Sequence, residues 1–363
     1  MPAVSTMLKE RQAAVGLWGR QSLYSALTMT DLHFKDNCFR MLPNESVLDC
    51  LLRHGQAIPY ACKAGMCQAC LIKAVDCEAT PHSRKWIKPA LQAKGYTLAC
   101  QWFPDDDVKG ELPGVEDFSI AVTVCELTPL SPYVMRMRLT IDDPATLFNC
   151  RPGQYVSLIN PNGITRSYSV ANDLVGEGML ELHVSRTSHG VFTRWVFEEA
   201  AVGMHLHLRG PNGECHYDDR EGSDYPMLLA GNGTGLAPLF GILRDALARG
   251  HEGPISLFHG GRTAAHIYLH GQLDALQKQY RNFSYYPCIV ENNGESGYQT
   301  GKLEHVLDKQ FRFYGAARTR AYLCGTPELV RRLRKYIYLK GIRSENIHCD
   351  PFTERTVVTT GAS

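Results

Sequence analysis

The alternation of apolar and polar residues changes character twice along the chain. Residues 28–113 mix short alternating runs with one predicted helix at residues 46–52. Two proline-containing stretches, 104–107 and 112–115, interrupt the pattern, and we place a linker there. Residues 1–27 carry loosely spaced apolar residues that predict a helix or arm packed on the body, with a partner-docking or membrane-surface segment as the alternative.

Residues 118–217 have the pattern of an antiparallel sheet. Proline, glycine and asparagine separate segments in which apolar and polar residues alternate, and a helical run at residues 191–200 lies between the last two. Six strands with one inserted helix predict a small closed barrel with Greek-key connections. The predicted strands are SIAVTVCEL, YVMRMRLTI, QYVSLIN, RSYSV, LELHVS and HLHLRG.

From residue 226 onward, short apolar strands alternate with helices, which predicts a doubly wound parallel sheet. The fold class is therefore multidomain, with α+β and α/β parts. The predicted strands of this last part are MLLAG, ISLFHGG, SYYPCIV and AYLCG. Its predicted helices are LFGILRDALARG, LDALQKQY, LEHVLDKQF and ELVRRLRKYIYLKG.

Length and charge narrow the classes of function. A chain of 363 residues is expected to form two or three domains. Its 38 basic and 37 acidic residues lack the surplus of positive charge that nucleic-acid-binding proteins usually carry. The sequence has no apolar stretch of the ~18–20 residues that span a bilayer, and its N-terminus lacks the pattern of a signal peptide. We therefore expect neither secretion nor membrane spanning, and a cytoplasmic location.

Four of the 13 cysteines have the spacing of a plant-type [2Fe–2S] site. Cys62, Cys67 and Cys70 crowd into one loop, and Cys100 follows 30 positions after Cys70. Such a centre needs four thiolates around two irons, three of them from one tight loop. Gly65 suits the sharp path of that loop. The spacing predicts these four cysteines as the metal ligands.

Two alternatives to the iron–sulfur interpretation stay open. A structural zinc site more often uses two Cys-x-x-Cys or Cys-x-x-His pairs, and only Cys67 and Cys70 form such a pair. Buried, inert thiols are the other alternative. Cys77 lies close enough to the loop to be a candidate ligand, but the spacing of plant-type [2Fe–2S] sites favours Cys100. The odd cysteine number and the missing export signal disfavour a disulfide framework.

A second motif lies on a predicted barrel strand, where the sequence RSYS matches the R-x-Y-S pattern of the ferredoxin–NAD(P)H reductase superfamily. The resemblance implies that Arg166 clamps the flavin pyrophosphate, that Tyr168 lies along the isoalloxazine, and that Ser169 donates a hydrogen bond toward flavin N5. Gly190 and Thr193 open the helix of the barrel, where free N–H groups attract an anion. These five residues are the candidate flavin site.

A third motif, LAGNGTGLAP, follows a predicted strand and opens a helix. Its residues Gly231, Gly233, Thr234 and Gly235 are expected to let the backbone approach a pyrophosphate closely. The spacing differs from the Rossmann G-x-G-x-x-G because the third glycine comes one position early. It resembles the variant found in the reductase superfamily.

The end of the AYLCG strand matches the C-G-x-P pattern of the same superfamily through Cys324, Gly325 and Pro327. The resemblance implies that the Cys324 thiol lies beside the nicotinamide, at the carboxyl end of the sheet. Cys324 and Ser169 are therefore the predicted catalytic residues. Phe352 stands where family members often carry an aromatic residue that covers the other flavin face.

Taken in order, the three motifs resemble the reductase component of bacterial multicomponent oxygenases with an N-terminal ferredoxin domain. The resemblance implies a β-grasp [2Fe–2S] ferredoxin domain at residues 28–113, an FAD-binding barrel at 114–221 and an NAD-binding domain at 222–352. Residues 1–27 would form the arm and 353–363 a solvated tail. The domain order implies FAD rather than FMN.

The implied function is the transfer of hydride from NADH to FAD, and of single electrons through the cluster to a terminal oxygenase. A deoxysugar dehydratase, a desaturase or a cytochrome P450 is the alternative acceptor. Arg262 suits the 2′-phosphate of NADPH and Glu291 would repel it, so NADH is favoured over NADPH. We expect a monomer whose partner is the acceptor protein.

Overall fold

The computed structural model describes residues 30–352 except Ala61, Cys67, residues 115–118, Leu147, His189, Glu221 and Tyr314. The chain divides into two compact units, Met1–Gly114 and Val115–Ser363. The arm predicted at residues 1–27 and the tail predicted at residues 353–363 lie outside the described residues.

The first unit is built on a five-stranded mixed sheet. Its strands are β1 (Asp31–Phe34), β2 (Asn37–Arg40), β3 (Leu71–Ala74), β4 (Tyr96–Leu98) and β5 (Val108–Glu111). The strand order is β2-β1-β5-β3-β4. All neighbours pair antiparallel except β1 and β5, which run parallel.

Strand β5 lies between the two stretches, 104–107 and 112–115, at which the linker is predicted. Val108 lies opposite Leu32 of β1, and Glu111 lies opposite Lys73 of β3, so this segment is the central strand of the sheet. Four residues that include a glycine are too few to show a strand period beside three aspartates. The sequence analysis therefore missed this strand, which none of the predicted elements includes.

Helix α1 (Val47–Arg53) confirms the helix predicted at residues 46–52. Ser46 caps it, since its Oγ accepts a hydrogen bond from Asp49 N at 3.1 Å. The short helices α2 (Pro81–Arg84) and α3 (Pro89–Gln92) each begin with a proline, which suits a first helical turn.

The second unit contains a six-stranded antiparallel sheet whose strand order is β10-β7-β6-β11-β8-β9. Its strands are β6 (Ile120–Ser131), β7 (Val134–Ile141), β8 (Tyr155–Ile159), β9 (Thr165–Ser169), β10 (Leu180–Ser185) and β11 (His205–Asn212). A bridge between Val170 and Leu182 joins the two ends of the sheet and closes the barrel. Its helices are α4 (Leu174–Glu177) and α5 (Val191–Glu198).

The same unit contains a parallel sheet with helices between its strands. The strands are β12 (Met227–Asn232), β13 (Ile255–Gly261), β14 (Phe283–Ile289), β15 (Gln299–Thr300), β16 (Arg320–Gly325) and β17 (Ile347–Pro351). The helices are α6 (Leu236–Ala248), α7 (His270–Gln279), α8 (Leu303–Gln310) and α9 (Pro327–Leu339).

The order of the parallel sheet, β15-β14-β13-β12-β16-β17, places its topological switch point between β12 and β16. Gly231 and Cys324 are neighbours across these two strands, at their carboxyl ends. Open α/β sheets bind ligands at such a crevice. The third motif and the C-G-x-P motif, far apart in sequence, therefore meet at the expected binding edge.

Helix α6 packs directly on the barrel through Gly241. A Cβ at this position would lie 2.9 Å from Val170 O and 3.1 Å from Pro152 Cβ, so only glycine allows this approach. The barrel and the parallel sheet thus share one packed unit. The predicted fold class, with an antiparallel barrel, a parallel α/β sheet and a small N-terminal sheet domain, is confirmed.

Candidate functional site

The fold brings two of the four predicted metal ligands, Cys70 and Cys100, into contact, and the described residues contain no group of three potential ligands. A hydrogen bond with the Cys70 thiol lowers the pKa of Cys100 to about 7, and the Gln101 amide and Gly65 N–H act in the same direction, although burial raises it. The electrostatic effect of Cys62 raises the pKa of Cys100. Cys67 lies outside the described residues.

The backbone of this loop has the shape that wrapping around a cluster requires. Lys63, Gly65 and Gln68 have positive φ values of 51°, 79° and 53°. A Cβ on Gly65 would lie 3.0 Å from Gln101 Cγ, which explains the glycine. The turn aims N–H groups inward, since Ala64 N donates to Cys62 Sγ at 3.3 Å. Converging thiols with inward N–H donors fit an iron–sulfur cluster.

The second motif lies on β9, beside β8. Tyr168 pairs with Val156 of β8, and its ring centroid lies 5.4 Å from that of Phe192 at the start of α5. Arg166 is half-buried, and its Nη1 donates to Thr165 O at 2.7 Å. Arg166 and Tyr168 are two positions apart on a strand, so they share one face of the sheet.

Gly190 and Thr193 form a small polar turn at the beginning of α5. Thr193 Oγ1 donates to Gly190 O at 3.0 Å and lies 3.1 Å from Thr187 Oγ1. A Cβ on Gly190 would lie 2.1 Å from Thr187 Oγ1, so the turn requires glycine. Gly190 is the N-cap residue and provides no side-chain cap, which leaves the first N–H groups of the helix available to an anion.

Asp350 is a site residue that the sequence did not reveal. Ser169 Oγ donates to Asp350 Oδ2 at 2.7 Å, which joins the last residue of β9 to β17. Burial raises the pKa of Asp350 to about 6, and the hydrogen bond from Ser169 opposes the shift. A half-buried aspartate with a raised pKa beside the predicted flavin strand has the properties of a functional acid. Its sequence signal, one aspartate before a proline near the end of the chain, resembles a turn.

The glycine-rich loop after β12 is held against β16. A Cβ on Gly231 or on Gly235 would lie 2.5 Å from Cys324 O. Gly233 has a φ of 52° and no atom within 4 Å of its Cβ position, and Thr234 beside it is half-buried. Two of the three glycines therefore serve packing within the protein, and Gly233 faces the open space where a ligand can approach.

His259 of β13 fixes this loop, which the sequence analysis did not anticipate. Its Nε2 donates to Gly233 O at 3.2 Å, and the ring is fully buried. Burial lowers the pKa of His259 to about 4, so the ring is neutral at physiological pH. The only sequence signal was a histidine inside the otherwise apolar strand ISLFHGG.

Cys324 is completely buried at the end of β16. Its Sγ lies 3.8 Å from Cys215 Sγ, and burial raises the pKa of Cys324 well above the usual thiol value. The group is therefore a neutral thiol in the folded protein, which suits contact with an uncharged ring better than nucleophilic attack. Cys215, the neighbouring thiol, belongs to no sequence motif and was not predicted as a site residue.

Gly325 has a φ of 127°, and a Cβ there would lie 2.1 Å from Asn232 Oδ1. That oxygen accepts from Thr326 N at 3.1 Å, just before Pro327 begins α9. Phe352 N donates to Gly325 O at 2.7 Å, which brings this half-buried residue beside the C-G-x-P motif. The structure thus places Gly325, Pro327 and Phe352 at the same edge of the parallel sheet.

The two residues predicted to decide the coenzyme form an ion pair. Arg262 Nε lies 2.8 Å from Glu291 Oε1, and both side chains are largely exposed. They follow β13 and β14, which are neighbours in the sheet. The Glu291 carboxylate is therefore paired with the Arg262 guanidinium, the group predicted to suit a 2′-phosphate.

Three family models match the chain in the predicted order. The 2Fe-2S iron-sulfur cluster binding domain matches residues 35–105, the oxidoreductase FAD-binding domain residues 121–217 and the oxidoreductase NAD-binding domain residues 228–335. These matches confirm the predicted cofactors, FAD, NAD(P) and a [2Fe–2S] cluster. The described part of the chain contains no helix long and apolar enough to cross a membrane.

Curated relatives and solved structures agree with these matches. The chain is 31% identical to an aromatic O-demethylase reductase subunit from Amycolatopsis, over 86% of this chain and 95% of the relative. It is 30% identical to the ferredoxin–NAD(P)(+) reductase component of a naphthalene 1,2-dioxygenase system from Pseudomonas putida, over 85% and 93%. The crystal structure of an Amycolatopsis cytochrome P450 reductase superposes with a TM-score of 0.63 at 28% identity, covering 90% of this chain and 99% of that one.

The predicted resemblance is therefore confirmed on sequence, domain order and fold. The chain belongs to the family of iron–sulfur flavoprotein oxidoreductases that includes the ferredoxin–NAD(P) reductase components of oxygenase systems.

Proposed function

We propose that this protein carries electrons from NADH, through FAD and its [2Fe–2S] cluster, to a terminal oxygenase. The observation that carries the proposal is the convergence of the Cys70 and Cys100 thiols in a chain that also holds a flavin motif and a nicotinamide motif. The relatives support the acceptor class, because one is named as the reductase component of a naphthalene 1,2-dioxygenase system and another as the reductase subunit of an aromatic O-demethylase.

The cofactors supply the redox chemistry: a bound flavin takes two electrons from the nicotinamide, and the cluster accepts one at a time. The protein supplies position and charge. Arg166 and the N-terminus of α5 at Gly190 would hold the two phosphates of FAD. The Tyr168 ring would lie along the isoalloxazine, and Phe352 would cover its other face. Cys62, Cys67, Cys70 and Cys100 would ligate the irons.

Asp350 would control the direction of the Ser169 hydroxyl. Ser169 has one proton, and it donates that proton to Asp350 Oδ2 when the carboxylate is charged. When Asp350 is protonated, the acid can donate to Ser169 Oγ and leave the hydroxyl proton to point at flavin N5. A pKa near 6 makes both arrangements accessible close to neutral pH.

The nicotinamide site would be formed at the switch point of the parallel sheet. Gly233 and Thr234 would receive the pyrophosphate, where His259 fixes the loop from behind. Cys324 and Gly325 would face the nicotinamide ring. The pairing of Arg262 with Glu291 supports NADH as the coenzyme, because a 2′-phosphate would have to displace the carboxylate.

A cytochrome P450 is the second candidate acceptor. The specific support is the Amycolatopsis P450 reductase fold, which this chain covers almost completely. For location, we infer the cytoplasm, because the Cys215 and Cys324 thiols lie 3.8 Å apart without forming a disulfide, and reduced thiols persist in reducing compartments.

Replacing a cluster ligand tests the electron path. Cys70→Ser is expected to abolish NADH-dependent cytochrome c reduction and to spare ferricyanide reduction, because ferricyanide takes electrons directly from the flavin. The matched control is Cys77→Ser, a nearby thiol that contacts Lys109 O and belongs to no predicted ligand set. Both activities are measured on protein with its full flavin content. Equal loss of both activities in Cys70→Ser would contradict the path.

Freeing Arg262 tests the coenzyme proposal. Glu291→Gln is expected to raise kcat/KM for NADPH relative to NADH by about tenfold, since it removes a like charge facing the 2′-phosphate. Arg262→Ala should leave NADH use unchanged and weaken the use of NADPH. Steady-state rates with both coenzymes provide the measurement. An unchanged NADPH to NADH ratio in Glu291→Gln would show that the pair does not read the 2′ position.

Asp350 should also impose a pH dependence on stability. Its folded pKa of about 6 exceeds the ordinary value of 3.8, so the unfolding free energy falls as pH rises from about 4 to about 6. Asp350→Asn removes this penalty and should be more stable than the wild type by roughly 2–3 kcal/mol at pH 7.5. The gain should shrink toward pH 5 in urea denaturation of the holoprotein. A gain that is independent of pH would contradict the assignment.

A further inference from the structure

An exposed tryptophan lies directly against the cluster loop. Trp86 Cδ1 is 3.2 Å from the position that a Cβ on Gly65 would take, and Trp86 O accepts from Gln68 Nε2 at 2.7 Å. The side chain is nevertheless 55% exposed, and Met66 of the cluster loop is 52% exposed. Two large apolar side chains therefore lie at the surface beside the thiols that would hold the cluster.

The segment around Trp86 is strongly basic. Residues 81–94, PHSRKWIKPALQAK, contain four basic residues and no acidic one. Lys85 and Lys88 are exposed on either side of the tryptophan, and Lys85 Nζ lies 5.0 Å from the centre of its ring. Lys63, in the cluster loop, is held by Asp49 at 2.7 Å. A positive surface with an apolar centre thus borders the cluster site.

We propose that Trp86 and Met66, flanked by Lys85 and Lys88, form the docking surface for an acidic face of the one-electron acceptor protein. The inference rests on the proposed function, because it assigns a partner to the cluster site. Tryptophan is the side chain most often found as a binding anchor, and surrounding charges accelerate and orient encounter. Binding here brings the acceptor against the loop that surrounds the cluster, which shortens the distance for electron transfer.

Charge complementarity identifies the chemistry of the acceptor. A basic rim of lysines attracts a carboxylate-rich surface and repels a basic one. Arg84 pairs with Glu78 at 2.8 Å, so the exposed Lys85 and Lys88 provide the positive charge beside Trp86. Residues 81–94 themselves contain no acidic residue that could offset the charge of these two lysines.

Two haem proteins of opposite charge test the proposal. The probes are the soluble domain of cytochrome b5, which is acidic, and cytochrome c, which is basic, each reduced by NADH through the full-length holoprotein. Lys85→Glu/Lys88→Glu should lower kcat/KM for cytochrome b5 about tenfold or more at low salt and leave or raise the value for cytochrome c. The difference should disappear at high salt. Trp86→Ala should lower cytochrome b5 reduction at both salt concentrations.

Control measurements distinguish a loss of acceptor docking from a loss of folding and from slower electron transfer within the chain. Lys309→Glu/Lys335→Glu makes the same charge change at exposed lysines of the other unit and should have no effect. Ferricyanide reduction and the cluster absorbance should be unchanged in every variant. An equal loss for both cytochromes, with slower reduction of the cluster by NADH in stopped flow, would assign the surface to the flavin-bearing unit of the same chain and overturn the proposal. Unchanged cytochrome b5 reduction would overturn it as well.

The same experiment separates this inference from the function on which it rests. If the wild type reduces ferricyanide but neither cytochrome, the proposed exit of electrons through the cluster fails, and the docking surface fails with it. If the wild type reduces both cytochromes and the charge-reversed variant behaves like it, only the docking surface fails.

Discussion

The hydrogen bond between Ser169 and Asp350 is the contact on which the proposed redox site depends. It joins the end of the flavin-motif strand to the last strand of the parallel sheet, so one polar pair links the two halves of the proposed site. Because the half-buried Asp350 carboxyl loses hydration, its charge is disfavoured and its pKa is raised to about 6. The same contact therefore positions the two strands and determines whether Ser169 or Asp350 donates the shared proton. It lies close to the glycines and the thiol at the switch point of the parallel sheet.

The glycines of the nicotinamide motif serve two different purposes, close packing within the protein and access for a ligand. Gly231 and Gly235 leave room for the Cys324 carbonyl, while Gly233 turns the backbone toward open space. In the first unit, Gly65 combines a positive φ with close packing, since a Cβ at this position would meet Gln101 and Trp86. Close backbone packing and ligand approach are thus separate tasks, and a motif alone does not tell them apart.

Much of this arrangement could be predicted from the sequence, because its signals are local. The cysteine spacing, the R-x-Y-S strand and the glycine-rich loop each occupy a short segment, and the domain matches bear out their order. Contacts between residues that lie far apart in the sequence have no such local signal. Asp350 meets Ser169 across 181 positions, and strand β5 is recognisable only from its partners in the sheet. The domain boundaries and the roles of individual site residues remain predictions.

The central claim, that one chain carries electrons from nicotinamide through flavin to an iron–sulfur cluster, is tested most directly by an anaerobic titration of the holoprotein with NADH. Visible absorbance follows the flavin and electron paramagnetic resonance follows the reduced cluster. The account predicts that flavin bleaching and a cluster signal both appear, with two electrons taken up by the flavin and one by the cluster. A flavin that bleaches while the cluster stays oxidised, or a chain that binds neither group after reconstitution, would contradict it.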